Sequence, residues 1–409
     1  MKSTSFKGQI IDEIHNIKYI LTKISDYIYK NPELGDTEYK AVKVLTSFLK
    51  HNNFSIELGI AGRPTSFRAT YDSNIEGPTI AFLCEYDALP KMGHGCGHNM
   101  IGTMSVGAAV ALSKVLNNIG GKLVVFGTPD EERNGAKVDM AEQGIFKGID
   151  VAMIAHPNPV TMSSGKTLAM DALQFEFKGK SSHAAVAPEN GINALDGVIL
   201  TYNGINALRQ HISSDVRIHG IITEGGLAAN TVPDKAIAKF YIRANKRANL
   251  NQVVKKVKNI AAGASLMTGA EVEITNYEYS FDDMNTNETL SESFNINLRQ
   301  LGIENIITTS ESLPSTDMGN VSYVVPSIQP LIGIGNSELN MHTQELADFT
   351  TTDIAHEALI MGASALAMTG YDIITDKALL DKIKSEFDEC IKYYNLEEDK
   401  KYEYHVKTN

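Results

Sequence analysis

The sequence predicts an α/β chain of two domains, one of them interrupted by an inserted α+β domain, and three observations carry that prediction. Up to about residue 168, short and almost wholly apolar segments alternate with helical stretches, the pattern of a sheet covered on both faces by helices. From about 169 to 282 the strands change to period-two alternation, as in a mostly antiparallel sheet with helices on one face. Chemistry-bearing residues follow the apolar strands before the insertion, and His342 lies beyond it. The division is therefore 1–168 with 283–409 for one domain and 169–282 for the other. A chain of 409 residues exceeds what one hydrophobic core usually supports.

Each element follows from its local pattern. Ile14, Ile17, Leu21, Ile24 and Ile28 recur at three-and-four spacing and predict a first helix that ends before Asn31-Pro32. Residues 79–84, 122–127 and 151–155 read as buried strands, and 101–116, rich in small and apolar residues, as the helix after a glycine-flanked turn. In the insertion, 172–177, 218–223, 237–243 and 272–276 read as strands. Helices are expected at about 192–211 and 247–267. The polar run Tyr279-Ser280-Phe281-Asp282-Asp283 is the expected return linker, and 397–409 reads as a solvated terminus.

Composition narrows the class. Hydrophobic residues at 43% and charged residues at 21% are ordinary globular usage. A formal net charge of -12 disfavours nucleic acid and anionic membrane surfaces as partners, while a small substrate remains compatible. No apolar run reads as long enough to span a bilayer, and the first residues lack a signal-peptide core. Cys84, Cys96 and Cys390 are too few for a disulfide framework. A thiol in a ligand motif is best preserved in a reducing compartment, so a cytoplasmic location is expected.

The most telling stretch is Gly93-His94-Gly95-Cys96-Gly97-His98-Asn99, where a thiol and an imidazole stand two residues apart among glycines. A buried Cys is often a small apolar filler and a single His a hydrogen-bonded core residue, so the turn takes its meaning from its company. Asp130-Glu131-Glu132 follows one apolar run, Ala155-His156-Pro157 another, and Met341-His342-Thr343 stands near the end. Adjacent carboxylates can divide the labour, one on a metal and one moving the proton of a metal-activated water. Asp87 follows a strand and can orient a ligand imidazole. Asn230 is a candidate for hydrogen-bonding the substrate carboxylate or the oxyanion, Arg243 for pairing with a carboxylate, and His219 for lining the cleft. His94 is read as structural.

On these residues the chain resembles the aminoacylase, carboxypeptidase and dipeptidase family of metallopeptidases, family twenty, and within it the amidohydrolase subfamily. The resemblance runs through Asn31-Pro32-Glu33-Leu34-Gly35, the Asp-Ala-Leu-Pro ending at Pro90, Gly93 to Asn99, Glu131-Glu132, His156-Pro157, Ser182-His183-Ala184-Ala185, Asn230-Thr231-Val232-Pro233-Asp234 and His342-Thr343. Asn99 and Ser315-Thr316-Asp317-Met318-Gly319-Asn320-Val321-Ser322 are similar to the branch of aminobenzoyl-glutamate hydrolase and the dipeptidases acting on basic dipeptides. Many other subfamily members have Asp in place of Asn99, and an Asn carries no charge.

The resemblance implies a mixed-sheet, dinuclear-metal exopeptidase domain with an inserted ferredoxin-like lid and dimerisation domain. It implies two divalent ions, zinc or manganese with cobalt or nickel permitted, held by Cys96, His98, Glu132, His156 and His342. Glu131 would be general base and then acid, and His183 a donor to the oxyanion, reaching the partner subunit's site. The implied activity is hydrolysis of the amide bond of a small dipeptide or N-acyl amino acid by a homodimer. Rival readings are an aminobenzoyl-glutamate-type or N-acyl-amino-acid deacylase and a non-catalytic metal or amino-acid binder on the same fold, which would not need Glu131. Thiol catalysis by Cys96 leaves the extra Glu and His ligands unexplained.

Overall fold

The computed structural model describes residues 5–398, so all but the first two residues of the expected solvated tail 397–409 lie outside it. The chain divides into two compact units. Thr167–Asp283 with Pro314–Thr316 forms one, and the remainder, including Met284–Leu313, forms the other.

The larger unit opens with α1 (Phe6–Lys30) and α2 (Tyr39–His51). In α1, Ile10, Ile14, Leu21, Ile24 and Ile28 are buried along one stripe, Ser5 caps the start by accepting from the Gly8 N–H, and the helix stops where Pro32 disfavours helical backbone at Asn31. There follow β1 (Ser55–Leu58), β2 (Phe67–Asp72), β3 (Thr79–Cys84), α3 (His98–Ile119), β4 (Lys122–Gly127), α4 (Ala136–Glu142), β5 (Val151–Met153) and β6 (His156–Asn158). The apolar strands are buried on both sides. Ile80 and Phe82 of β3 and Leu123 and Val125 of β4 pack into one core, while Ala81, Leu83, Val124 and Phe126 pack into a second.

The smaller unit runs β7 (Ala169–Lys178), α5 (Ala194–Leu208), β8 (Arg217–Glu224), β9 (Lys235–Ala244), α6 (Arg247–Thr268) and β10 (Glu271–Asn276). Its antiparallel sheet has the order β10-β7-β9-β8, which with two crossover helices is the ferredoxin-like arrangement. Alternation in β9 sends Ala236, Ala238, Phe240 and Ile242 to the helices and Lys239, Tyr241 and Arg243 to the other face. The return segment is fastened rather than merely linking. Phe281 pairs with Met170, and the buried guanidinium of Arg247 joins Asp171 at 2.7 Å to Asp282 at 2.6 Å.

The chain then completes the first unit with α7 (Glu288–Gln300), α8 (Met318–Ser322), β11 (Ser327–Ile328), β12 (Leu331–Gly333), α9 (Gln344–Phe349), α10 (Asp353–Thr375) and α11 (Lys377–Glu398). The main sheet has the order β1-β2-β4-β3-β5-β11. β4, β3, β5 and β11 are parallel, and β2 and β1 are added antiparallel at one edge. Two sequence expectations are corrected here. The strand at 151–155 ends at Met153, and α3 and α10 are long and apolar enough to cross a bilayer by length and composition, contrary to the reading that no run is. Both lie mostly buried against the rest of the protein.

Candidate metal centre

Cys96, His98, Glu131, Glu132 and His156 sit at the carboxyl ends of parallel strands, where open α/β sheets place their ligand sites. Gly97, with φ 78°, is the N-cap of α3. A side chain there would meet Pro157 Cγ at 2.5 Å, so glycine lets the His156 strand end approach the Cys96–His98 turn. His342, itself at φ 59°, is tied to the same turn by its N–H on the Gly95 carbonyl.

Hydrogen bonds settle the histidine tautomers. His98 Nδ1 donates to the buried Asp87 carboxylate at 2.9 Å, and His156 Nδ1 donates to the Pro157 carbonyl at 2.7 Å. Each ring therefore turns its Nε2 to the centre, the atom that would ligate an ion. Asp87 also accepts the Glu132 N–H at 3.1 Å, coupling both ligand-bearing loops. Around His98 Nε2 lie Glu85 Oε2 at 3.6 Å, Glu132 Oε1 at 3.8 Å and Glu131 Oε2 at 3.9 Å. Cys96 Sγ is 3.6 Å from His156 Nε2, and His342 Nε2 is 3.8 Å from Glu132 Oε2.

The electrostatics call for a cation. Burial pushes the Glu131 carboxyl well up, and the neighbouring Glu85, Glu132 and Asp317 add to it. Burial and then Glu132 push the Cys96 thiol up, while burial holds His156 down at about 4, neutral and fit to ligate. His98 Nε2, Glu85 Oε2 and Glu132 Oε1 are buried and make no hydrogen bond to any described residue. Orphaned donor atoms of this kind, converging with Cys96, His98 and His156 as one group and Cys96, Glu132 and His342 as another, each within 4.8 Å, fit divalent metal. A dication would turn the mutual repulsion of these groups into attraction.

The Glu131–Glu132 loop has its own anchors. Asp130, at φ 59°, gives its N–H to Glu38 at 3.0 Å, and the Arg63 guanidinium joins Asp36 at 2.6 Å, Asp139 at 2.7 Å and the Asn134 carbonyl. Gly35 makes room for this. A Cβ at that position would lie 1.7 Å from Asp130 Oδ1. Gly35→Ala should lower unfolding free energy by about 1–3 kcal/mol, the usual cost of overpacking. Chemical denaturation checks this, and an unchanged midpoint would contradict it.

Several other predicted residues belong to the smaller unit. His183 is exposed in the smaller unit, bridged to Thr231 beside Asn230, whose carbonyl accepts the Ala184 N–H. Arg243 donates to Ser315 at 3.0 Å and lies over the Tyr241 ring, and His219 is exposed on β8. Asn99 acts as a hydrogen-bond donor, to Ser25 at 3.0 Å and Thr350 at 3.1 Å, a part that an ionised Asp could not play. His94 is buried, and burial brings it down to about 4. Sequence reasoning assigns no role to Glu85, Lys137 or Asp317, which form a buried ionic cluster against Glu131. Asp317 stands within the Ser315–Ser322 motif and Glu85 two residues ahead of Asp87, but Lys137 leaves no local signal.

Residues 170–266 match the family model described as a peptidase dimerisation domain. The chain is 36% identical to the Xaa-Arg dipeptidase of Mus musculus, over 93% of this chain and 92% of the relative. It is 29% identical to a p-aminobenzoyl-glutamate hydrolase component of Escherichia coli (strain K12), over 92% of this chain and 94% of that one. A crystal structure from Bacillus subtilis, titled a dinuclear metal-binding peptidase of the M20 family, superposes with a TM-score of 0.68 at 17% identity, covering 88% of this chain and 99% of that one. Fold, ligand set and relatives together define a metal-dependent amidohydrolase of the dipeptidase kind. The chain belongs to the M20 metallopeptidase family, in the branch of the Xaa-Arg dipeptidases and aminobenzoyl-glutamate hydrolase.

Proposed function

We propose that this protein is a cytoplasmic, homodimeric peptidase that uses two divalent ions to hydrolyse small dipeptides, with a basic C-terminal residue preferred. The observation that carries the metal chemistry is the convergence of the buried Cys96, His98 and His156 with the partly buried Glu131 and Glu132 and the exposed His342 around three orphaned polar atoms. Cys96, His98, Glu132, His156 and His342 would hold the ions, zinc or manganese by their mixed donor set, with cobalt or nickel also compatible. Bound there, divalent ions polarise a scissile carbonyl and lower the pKa of water toward neutrality. Asp87 fixes the His98 ring. Glu131 takes the proton of the attacking water as the C–O bond forms, then delivers it to the amine nitrogen as the C–N bond breaks. His183 donates to the oxyanion, and Asn230, Arg243 and His219 hold the substrate.

The dipeptide preference is supported by the mouse relative, whose identity exceeds that of the aminobenzoyl-glutamate hydrolase component. Dimerisation is supported by the matched dimerisation-domain model and by β8, an edge strand with Ile221 and Ile222 exposed. The reducing location rests on the free, buried Cys96 thiol.

The test uses a panel of basic-ended dipeptides, aminobenzoyl-glutamate and N-acetyl amino acids, with His183→Ala and Glu131→Gln proteins assayed separately and after subunit exchange. Basic-ended dipeptides should turn over fastest, and the mixture should regain activity that neither variant has. A mixture as inactive as its components would refute a role for His183 across the dimer.

A further inference from the structure

Glu85 and Asp317 share one buried cation, but they are not equivalent. Lys137 Nζ, fully buried, contacts Glu85 Oε1 at 2.7 Å and Asp317 Oδ1 at 2.5 Å. Asp317 has its second oxygen satisfied as well, by the Lys137 N–H at 3.2 Å, and Gly135 leaves the space for that approach, since a Cβ there would stand 2.3 Å from Asp317 Oδ2. Glu85 Oε2 has no such partner. It is buried, makes no hydrogen bond to any described residue, and lies 3.6 Å from His98 Nε2, the nitrogen that Asp87 leaves turned to the centre. A buried carboxylate oxygen left in that state is costly unless a cation faces it.

We infer that Glu85 is a further carboxylate of the metal centre, anchored by Lys137 through one oxygen so that the other faces the ion held by His98. Asp317 is then the plain counter-ion of the pair. This adds a hard, anionic oxygen to a set otherwise rich in Cys and His, and so favours the harder of the permitted ions. The inference rests on the metal-hydrolase reading above.

The experiment strips the protein of metal and titrates zinc back against a chromophoric chelator, for wild type, Glu85→Gln and Asp317→Asn. Glu85→Gln should weaken one ion per chain by about tenfold or more, while Asp317→Asn stays within about threefold of wild type. Wild-type affinity in Glu85→Gln, or equal weakening in both variants, overturns the inference and leaves the metal-hydrolase reading standing. A wild-type protein that takes up no zinc overturns both. Should metal-free Glu85→Gln fail to fold by circular dichroism, Glu85→Asp replaces it, keeping the charge for Lys137 and shortening the reach. Weaker zinc binding then supports the inference and wild-type binding overturns it.

Discussion

Glu131→Gln should retain its bound metal and lose roughly 10²–10⁴-fold in kcat, the range for removal of a general base. The substitution keeps shape and size and removes the proton acceptor. Its specificity comes from how the neighbouring carboxylates are engaged. Glu132 lies near both His98 and His342, and Glu85 is anchored by Lys137, whereas Glu131 stands nearest to other carboxylates and to His98 Nε2 at 3.9 Å. Burial and those carboxylates push its pKa up, the direction that readies a carboxylate to hold a proton and give it back. Steady-state kinetics with metal analysis on the same sample checks the point. Turnover within about threefold of wild type would remove Glu131 from the role, being far short of that range.

Cys96→Ala should weaken both ions and His156→Ala only one. Among the four three-residue groups whose donor atoms converge, Cys96 is in one with His98 and His156 and in another with Glu132 and His342, whereas His156 is in one only. Losing the shared sulfur should cut kcat/KM by roughly 10³-fold or more, since metal assistance supplies several kcal/mol and each 1.36 kcal/mol is tenfold. Metal content per chain separates the variants. If Cys96→Ala kept both ions at wild-type affinity, the sulfur would be a core residue after all.

The parts of this protein legible in its sequence are those whose pattern is local. Residues 79–84 and 122–127 read as strands because two cores bury both their faces, so nearly every position is apolar. β1 and β2 are not legible, because Glu57, Arg68 and Asp72 break the apolar run in an antiparallel edge where part of each strand meets solvent. α3 starts at His98, earlier than its apolar run, because Gly97 at positive φ makes the ligand itself the first helical residue. In the site, Cys96, His98, Glu131, Glu132 and Asp87 announce themselves by spacing and by following strands. Lys137 does not, since its two carboxylate partners are 52 and 180 residues away in sequence. Arg63 is similar, an arginine in a loop whose partners Asp36 and Asp139 lie on separate segments. Asn99 reads as a missing charge and is a donor to two hydroxyls.

If hydrolysis requires two ions held around Cys96, activity must follow metal occupancy. The direct measurement is activity against metal occupancy. Protein stripped with a chelator is titrated with zinc or manganese while bound metal per chain and hydrolysis of a basic-ended dipeptide are read on the same samples. The stripped protein should show no turnover, and activity should rise to its plateau as occupancy approaches two ions per chain. Full turnover in metal-free protein would contradict it.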